Sequence, residues 1–200
     1  MSEKYDIVII GSGLGGLVSS IILAKEGYNV CVLEKNQQFG GNLQTFSRDK
    51  VIFDTGVHYI GGLDEGQNLN RYFKYLGILD DLSLKKMDED AYDIITFNGD
   101  PVEYKHAQGY ERFTESLLEQ FPNEGEAIDA YWQKMTETCD SFPLYRMRHS
   151  AAYHENPEIF QEQIKPFIES ITEDEKLRAV LVGSNLLYAG DGDKTPLYMH

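Results

Sequence analysis

The chain has 200 residues, 42% hydrophobic and 26% charged, a composition typical of a globular protein with one core or two small domains. Its 33 acidic and 18 basic residues give a net charge of −15, which argues against nucleic-acid binding, because phosphate contacts need clustered Lys and Arg. Two cysteines provide no disulfide framework, and no apolar run is long enough to span a bilayer. We expect a cytoplasmic protein, since the first strand begins without a preceding signal peptide.

The first elements predict a nucleotide-binding strand–turn–helix–strand. Residues 7–10, Ile-Val-Ile-Ile, predict a strand buried on both faces, and residues 30–33 predict a second strand whose Cys31 is a core residue. A glycine loop at residues 11–16 leads into a helix over residues 17–26. Such a loop brings the backbone close to a pyrophosphate and lets the helix pack on the sheet, while the helix N-terminus attracts phosphate. The loop residues are candidate cofactor-binding residues: Gly11, Ser12, Gly13, Leu14, Gly15 and Gly16.

Glu34 follows the second strand, about 20 residues after the first loop glycine, where dinucleotide-binding proteins carry the acid that binds a ribose hydroxyl. Its carboxylate would accept hydrogen bonds from the ribose and repel a 2′-phosphate. This favours FAD or NAD over NADP. The alternative interpretation is a glycine turn in an ordinary βαβ unit, with Glu34 as a surface residue.

A second glycine pair, Gly40 and Gly41, lies just beyond this acid, and Asp-Thr-Gly follows at residues 54–56. Between them, residues 48–50 predict a turn joining two short strands. A cofactor with a bulky ring system requires the backbone to pass close beside it, which a simple nicotinamide dehydrogenase does not. The pattern therefore favours a flavin.

Residues 5–62 resemble the N-terminus of the FAD-dependent amine oxidase and phytoene desaturase superfamily. Residues 53–62, Phe-Asp-Thr-Gly-Val-His-Tyr-Ile-Gly-Gly, are similar to its retinol saturase and carotenoid isomerase branch. The resemblance implies that the loop glycines bind the pyrophosphate of FAD and that Glu34 binds the adenosine ribose. It also places Lys35 beside the adenosine, and Gly41 and Asn42 near the flavin. Asn42 replaces the Arg common in the family, so a charged contact to the cofactor is not expected there.

The resemblance places one titratable side chain, His58, toward the substrate channel. His58 is therefore a candidate catalytic residue, and the alternative is a histidine satisfied within a strand–turn. The expected chemistry belongs to the flavin, so no side chain in this stretch need act as an acid or base. We predict no metal site.

The rest of the chain predicts a second, α+β part. Residues 67–79 have apolar positions at helical spacing and predict a helix that Gly77 ends, and charged residues from 80 onward mark a boundary. We therefore assign residues 1–80 to a Rossmann-like FAD-binding part and residues 81–200 to a substrate or cap part, an α/β fold overall. The second part should contain a hairpin around Asn98-Gly99, followed by helices. The first of these helices is predicted over residues 110–121, and the second over residues 124–147 with a break at Pro143. A third helix should begin at residue 156 and have a kink at Pro166. A fourth should begin with a capping box at Thr172 and continue to residue 187.

Thr195-Pro196 predicts the start of a helix, with only four residues after it. A helix this short would bury no apolar surface. The chain is therefore interpreted as the N-terminal portion of a longer polypeptide. Its C-terminal half would complete the flavin site, and we expect the isolated 200 residues to be inactive.

The leading functional hypothesis is an FAD-dependent oxidoreductase. It would saturate, desaturate or isomerise the double bonds of an apolar polyene, retinoid- or carotenoid-like, by hydride transfer at flavin N5. A lipid-soluble substrate also allows peripheral membrane contact. The alternatives are a flavin amine oxidase of the same superfamily, a non-catalytic nucleotide-binding module and a nicotinamide dehydrogenase.

Overall fold

The computed structural model describes residues 4–57, 59–142, 145–147, 160–188 and 190–200. The chain divides into two compact units, Met1–Ser83 and Leu84–His200. The candidate catalytic residue His58 and the predicted helix start at residue 156 lie outside the described residues. The cofactor and substrate roles assigned to the two parts stay predictions.

The first unit begins with the predicted βαβ arrangement. Strand β1 (Ile7–Ile10), helix α1 (Leu14–Lys25) and strand β2 (Val30–Leu33) follow in order. The two strands are parallel, with Ile7 opposite Val30 and Ile10 opposite Leu33. The strand bounds match the prediction, but α1 begins at Leu14 rather than at residue 17. The last glycines of the loop are therefore part of the helix.

The prediction that β1 is buried on both faces is wrong. Val8 is 55% exposed and Ile10 is 88% exposed, whereas Ile7 and Ile9 are half-buried. The reason is that β1 and β2 form a two-stranded sheet in the described structure, and α1 packs beside the face that carries Ile9. Cys31 in β2, predicted as a core residue, is only half-buried.

The first unit continues with a hairpin and a helix. Strands β3 (Thr45–Arg48) and β4 (Val51–Asp54) pair antiparallel across the predicted turn, where Asp49 and Lys50 have φ of 52° and 66°. These are left-handed conformations that favour the right-handed twist of a two-residue hairpin. Helix α2 (Asn68–Leu76) ends at Gly77, as the sequence predicts.

The second unit combines a short hairpin with packed helices. Strands β5 (Asp93–Ile95) and β6 (Tyr104–His106) are antiparallel, and residues 96–103 connect them with the predicted turn at Asn98-Gly99. Helices α3 (Tyr110–Gln120) and α4 (Gly125–Asp140) pack together next. The core of this unit contains these fully buried side chains: Leu117, Ile128, Ile164, Leu177, Val180, Leu181 and Leu197.

Two predicted helices of the second unit are shorter than expected. Helix α4 ends at Asp140, before Pro143, instead of continuing to residue 147. Helix α5 spans Ile164–Ile171, so Pro166 lies in its first turn. A proline costs little there because the N–H it lacks would have no partner within the helix. The predicted kink at Pro166 is therefore wrong.

The last α-helix, α6 (Glu175–Leu181), has a different N-cap residue from the predicted one. The capping box placed the cap at Thr172, but the Asp174 carboxylate caps the helix by accepting from the N–H groups of Lys176 and Leu177, each at 2.9 Å. The Thr172 hydroxyl instead donates to Glu124 Oε2 at 2.6 Å. Beyond α6, residues Gly183–Tyr188 form a 3₁₀ helix rather than a continuation to residue 187.

Substitution Asp174→Ala should lower the free energy of unfolding of the second unit by about 1 kcal/mol, because two helix N–H groups lose their acceptor. Urea unfolding followed by the fluorescence of Trp132, which packs against the core of this unit, measures the change. Glu173→Ala removes a neighbouring exposed carboxylate and is the matched control. Equal stability of the two variants would contradict this cap.

The end of the described chain packs against the core, contrary to the expectation that it buries nothing. Gln163 pairs with Pro196 in an isolated antiparallel bridge, and Leu197 in the following 3₁₀ helix is 1% exposed. Within the described ranges, no helix combines the length and the apolar character needed to cross a membrane.

Candidate functional site

The N-terminus of α1 is shaped to receive an anion. Gly13 is its N-cap residue, so no side chain caps the helix there, and the first turn contains no acidic residue. A Cβ built on Gly13 or Gly15 would meet no described atom within 4 Å. The first N–H groups of a helix have no partners within the helix, and the helix dipole favours negative charge there. The backbone at this helix end can therefore be approached closely by a phosphate.

Gly16 allows α1 to lie directly against the turn that leaves β1. A Cβ on Gly16 would be 2.1 Å from the carbonyl oxygen of Gly11 and 3.5 Å from Cγ2 of Ile9. No side chain fits at the first of these distances. The close helix–strand packing that the sequence predicts for the glycine loop is therefore present in the structure, at Gly16.

Glu34 faces the glycine loop from the end of β2. Its Oε2 accepts hydrogen bonds from the Ser12 hydroxyl at 2.7 Å and from the Ser12 N–H at 2.9 Å. Its Oε1 accepts from the N–H of Asn36 at 2.9 Å. The Ser12 hydroxyl, together with these backbone N–H groups, lowers the pKa of Glu34 to about 2. Glu34 is therefore a carboxylate at every physiological pH.

The second glycine pair lies on the glycine loop. The N–H of Gly40 donates to the carbonyl oxygen of Ser12 at 3.0 Å, and a Cβ on Gly41 would lie 3.0 Å from Cα of Gly13. The sequence predicts that this pair lies beside the ring system of a cofactor, which stays a prediction. The structure shows that Gly41 lies close to the backbone of Gly13. Lys35, Gly41 and Asn42 are exposed beside this contact.

The structure thus brings the predicted loop, the acid and the second glycine pair into one site of the first unit. The connecting role of the Ser12 side chain was not predicted, although Ser12 was named as a loop residue. Its only sequence signal is a small hydroxyl residue between two loop glycines. Within the residues that can be described, no cluster of three or more His, Cys, Asp or Glu side chains could hold a metal ion.

The aromatic residues of the second unit form a packed core. Phe113 stacks on Tyr131 with ring centroids 5.8 Å apart, and Tyr104 stacks on Phe121 at 5.5 Å. A surface groove of about 440 Å³ in this unit is lined by residues of α5 and of the segment before it: Gln161, Glu162, Gln163, Pro166, Phe167 and Ser170. The groove is open to solvent.

A half-buried histidine packs beside this core, and the sequence analysis did not single it out. His200 bonds to the Tyr131 hydroxyl through Nε2 at 2.7 Å and to Asn185 Oδ1 through Nδ1 at 2.6 Å. Burial, with a smaller effect of nearby His106, lowers the pKa of His200 to about 4. Burial also lowers the pKa of His106, which is 5% exposed.

Comparison with known proteins shows what the chain is similar to. A model of the NAD(P)-binding Rossmann-like domain matches residues 9–76, from the second half of β1 to the end of α2. The chain is 39% identical over 135 residues to the all-trans-retinol 13,14-reductase of Homo sapiens, a match that covers 64% of this chain and 21% of the reductase. It is 33% identical over 140 residues to prolycopene isomerase 2 of an Oncidium hybrid cultivar, covering 70% of this chain and 24% of the isomerase.

The chain is therefore similar to retinol reductases and prolycopene isomerases. This similarity confirms the resemblance to the retinol saturase and carotenoid isomerase branch, and with it the α/β, Rossmann-like fold class. The chain spans about a fifth of the length of these relatives. A solved putrescine oxidase structure has 19% sequence identity and a TM-score of 0.49, covering 87% of this chain and 35% of that one.

Proposed function

We propose that the first unit binds the ADP portion of FAD, and that the protein to which it belongs is an oxidoreductase acting on the double bonds of an apolar polyene. The observation that carries the proposal is the open N-terminus of α1 beside a permanently charged Glu34. Similarity to these relatives supports it, because they are named for reactions of all-trans-retinol and prolycopene. These names favour a polyene substrate over an amine.

The residues present fit a dinucleotide. Gly13 and Gly15 leave room for a pyrophosphate at the start of α1, since the positions that side chains would fill are open in the described structure. Glu34 Oε1 accepts one backbone hydrogen bond and retains acceptor capacity for a ribose hydroxyl. Gly41 and Asn42 would lie toward the flavin, and Lys35 toward the adenosine.

FAD, when bound, would supply hydride transfer at its N5 atom. The residues of this chain would bind and orient the dinucleotide: the backbone of the glycine loop would hold the phosphates, and Glu34 would hold the ribose. We assign no acid or base to the described residues. Peripheral contact with a membrane is proposed as the way in which a cytoplasmic protein would obtain so apolar a substrate.

Substitution Glu34→Lys should weaken binding of ADP and of FAD by about tenfold or more, because the ribose loses a charged acceptor and the loop loses its hydrogen bonds to Glu34. Isothermal titration of the 200-residue chain measures both affinities. Glu26→Lys makes the same charge change at the exposed end of α1 and is the control. Unchanged affinity in Glu34→Lys, or equal losses in both variants, would contradict the proposed site.

The reaction class is tested separately, with the protein as the cell produces it. A visible flavin spectrum that a reductant bleaches is expected. A colourless protein that binds NAD would instead indicate a nicotinamide dehydrogenase. Chromatography of all-trans-retinol and of prolycopene after incubation should show conversion of a polyene, whereas oxidation of amines alone would favour the amine oxidase alternative.

A further inference from the structure

Ser12 is the one loop residue whose side chain connects separate segments of the proposed site. It is 3% exposed, although it lies in a loop. Its neighbours come from the end of β2 through Glu34 and from the second glycine pair through Gly40. A buried hydroxyl at this place is therefore part of the internal structure of the site.

The hydrogen bonds of Ser12 fix the direction of its hydroxyl proton. The hydroxyl donates to Glu34 Oε2 at 2.7 Å, and its oxygen accepts from the N–H of Gly40 at 3.2 Å. The Gly40 N–H also reaches the Ser12 carbonyl oxygen at 3.0 Å. A hydroxyl has one proton to donate, so the bond to Glu34 uses its full donor capacity.

These bonds leave the Glu34 carboxylate with acceptor capacity for a ligand. Two donors from Ser12 contact Oε2 and the N–H of Asn36 donates to Oε1, while the N–H of Lys35 acts on the carboxylate as a weaker donor. A carboxylate oxygen accepts about two hydrogen bonds, so Oε1 keeps capacity for another donor. The carboxylate is held at both ends and cannot rotate freely away from an incoming group.

We infer that Ser12 is a positioning residue that holds the Glu34 carboxylate so that the site accepts a ribose with a free 2′-hydroxyl and rejects a 2′-phosphate. The inference rests on the proposed binding of an ADP portion. A free hydroxyl can donate to the open position on Oε1, whereas a phosphate brings negative charge against a carboxylate that cannot turn away. Without the Ser12 hydroxyl, the Glu34 side chain can move, and both the attraction and the repulsion weaken.

Substitution Ser12→Ala should lower the affinity for ADP-ribose by about three- to tenfold, and should reduce the preference for ADP-ribose over 2′-phospho-ADP-ribose by a similar factor. Isothermal titration of the 200-residue chain with the two ligands measures both changes. Ser20→Ala is the matched control, because the Ser20 hydroxyl in α1 donates only locally, to the carbonyl oxygen of Leu17 at 2.7 Å.

A second measurement does not depend on ligand binding. A carbon-13 NMR titration of the Glu34 side chain should give a pKa of about 2 in the unchanged protein. The pKa should be higher in Ser12→Ala and unchanged in Ser20→Ala. Ser12→Thr retains the hydroxyl and should restore the low pKa, which keeps the test decisive if Ser12→Ala does not fold.

The outcomes separate this inference from the proposed function. If the unchanged protein binds ADP-ribose and Ser12→Ala shows the same selectivity and the same Glu34 pKa, the role of Ser12 is overturned while dinucleotide binding stands. If the unchanged protein binds neither ligand, dinucleotide binding and the selectivity assigned to Ser12 are overturned together. A higher Glu34 pKa in Ser12→Ala would then show only that Ser12 holds the carboxylate.

Discussion

Substitution Gly16→Ala should lower the free energy of unfolding of the first unit by about 2–3 kcal/mol, or prevent its folding, because the added methyl group has no room. The new Cβ would lie 2.1 Å from the Gly11 carbonyl oxygen, which is a backbone atom and cannot move aside alone. Relief requires α1 to move away from β1, and this would also displace the helix end proposed to bind phosphate.

Gly15→Ala is the matched control, one residue earlier in the same helical turn. Its added Cβ would meet no described atom within 4 Å, and alanine is the better helix former by about 0.5–1 kcal/mol. Far-UV circular dichroism during urea unfolding, together with amide hydrogen exchange in β1 and β2, measures the first unit. Similar stabilities of the two variants would mean that α1 does not pack on the β1 turn as described.

The second unit should lose about 3 kcal/mol of stability as the pH falls from about 6.5 to about 4. Burial lowers the pKa of His200 from 6.5 to about 4, and each unit of difference is worth about 1.4 kcal/mol. Between these values the unfolded chain binds more protons than the folded chain, so stability rises with pH. The contribution is therefore fully present above pH 6.5, decreases through this window, and levels off below pH 4. Burial also lowers the pKa of His106, although the Asp93 carboxylate opposes this change. His106 therefore contributes to the loss of stability in the same direction.

Urea unfolding followed by the fluorescence of Trp132 at several pH values measures this dependence. Trp132 is the only tryptophan of the chain, and its ring lies 5.5 Å from that of Phe113 in the core of the second unit. His200→Gln retains hydrogen-bonding groups toward Tyr131 and Asn185 but does not titrate, so its stability should change less between pH 6.5 and 4. An equally steep dependence in this variant would show that His200 is not the group responsible.

The elements that the sequence predicted best are those defined by local signals. Strands β1 and β2 have the predicted bounds because each is a short run of apolar residues, at least half of them β-branched, next to turn residues. The start of α1 was missed because glycine is a poor helix former, yet Gly16 lies in the helix since only glycine fits against Gly11. The cap of α6 was misplaced because Thr172 and Asp174 both suit a cap, and only the contact of Thr172 with Glu124 separates their roles.

Features that depend on contacts between distant residues could not be predicted. The bond from Ser12 to Glu34 and the approach of Gly41 to Gly13 depend on how two loops pack, which no single segment specifies. Burial of Leu197 likewise arises from packing against the core of its unit. The sequence therefore predicted which residues belong to the candidate site, but not the hydrogen bonds that arrange them.

The exposed side chains of β1 affect how the protein behaves at high concentration. Ile10, 88% exposed, offers an adhesive apolar surface to other copies, and the net charge of −15 opposes their approach. Electrostatic repulsion acts over about 10 Å in 0.1 M salt but only about 3 Å in 1 M salt. Colloidal stability therefore depends on ionic strength, and dilute buffers favour monodisperse samples.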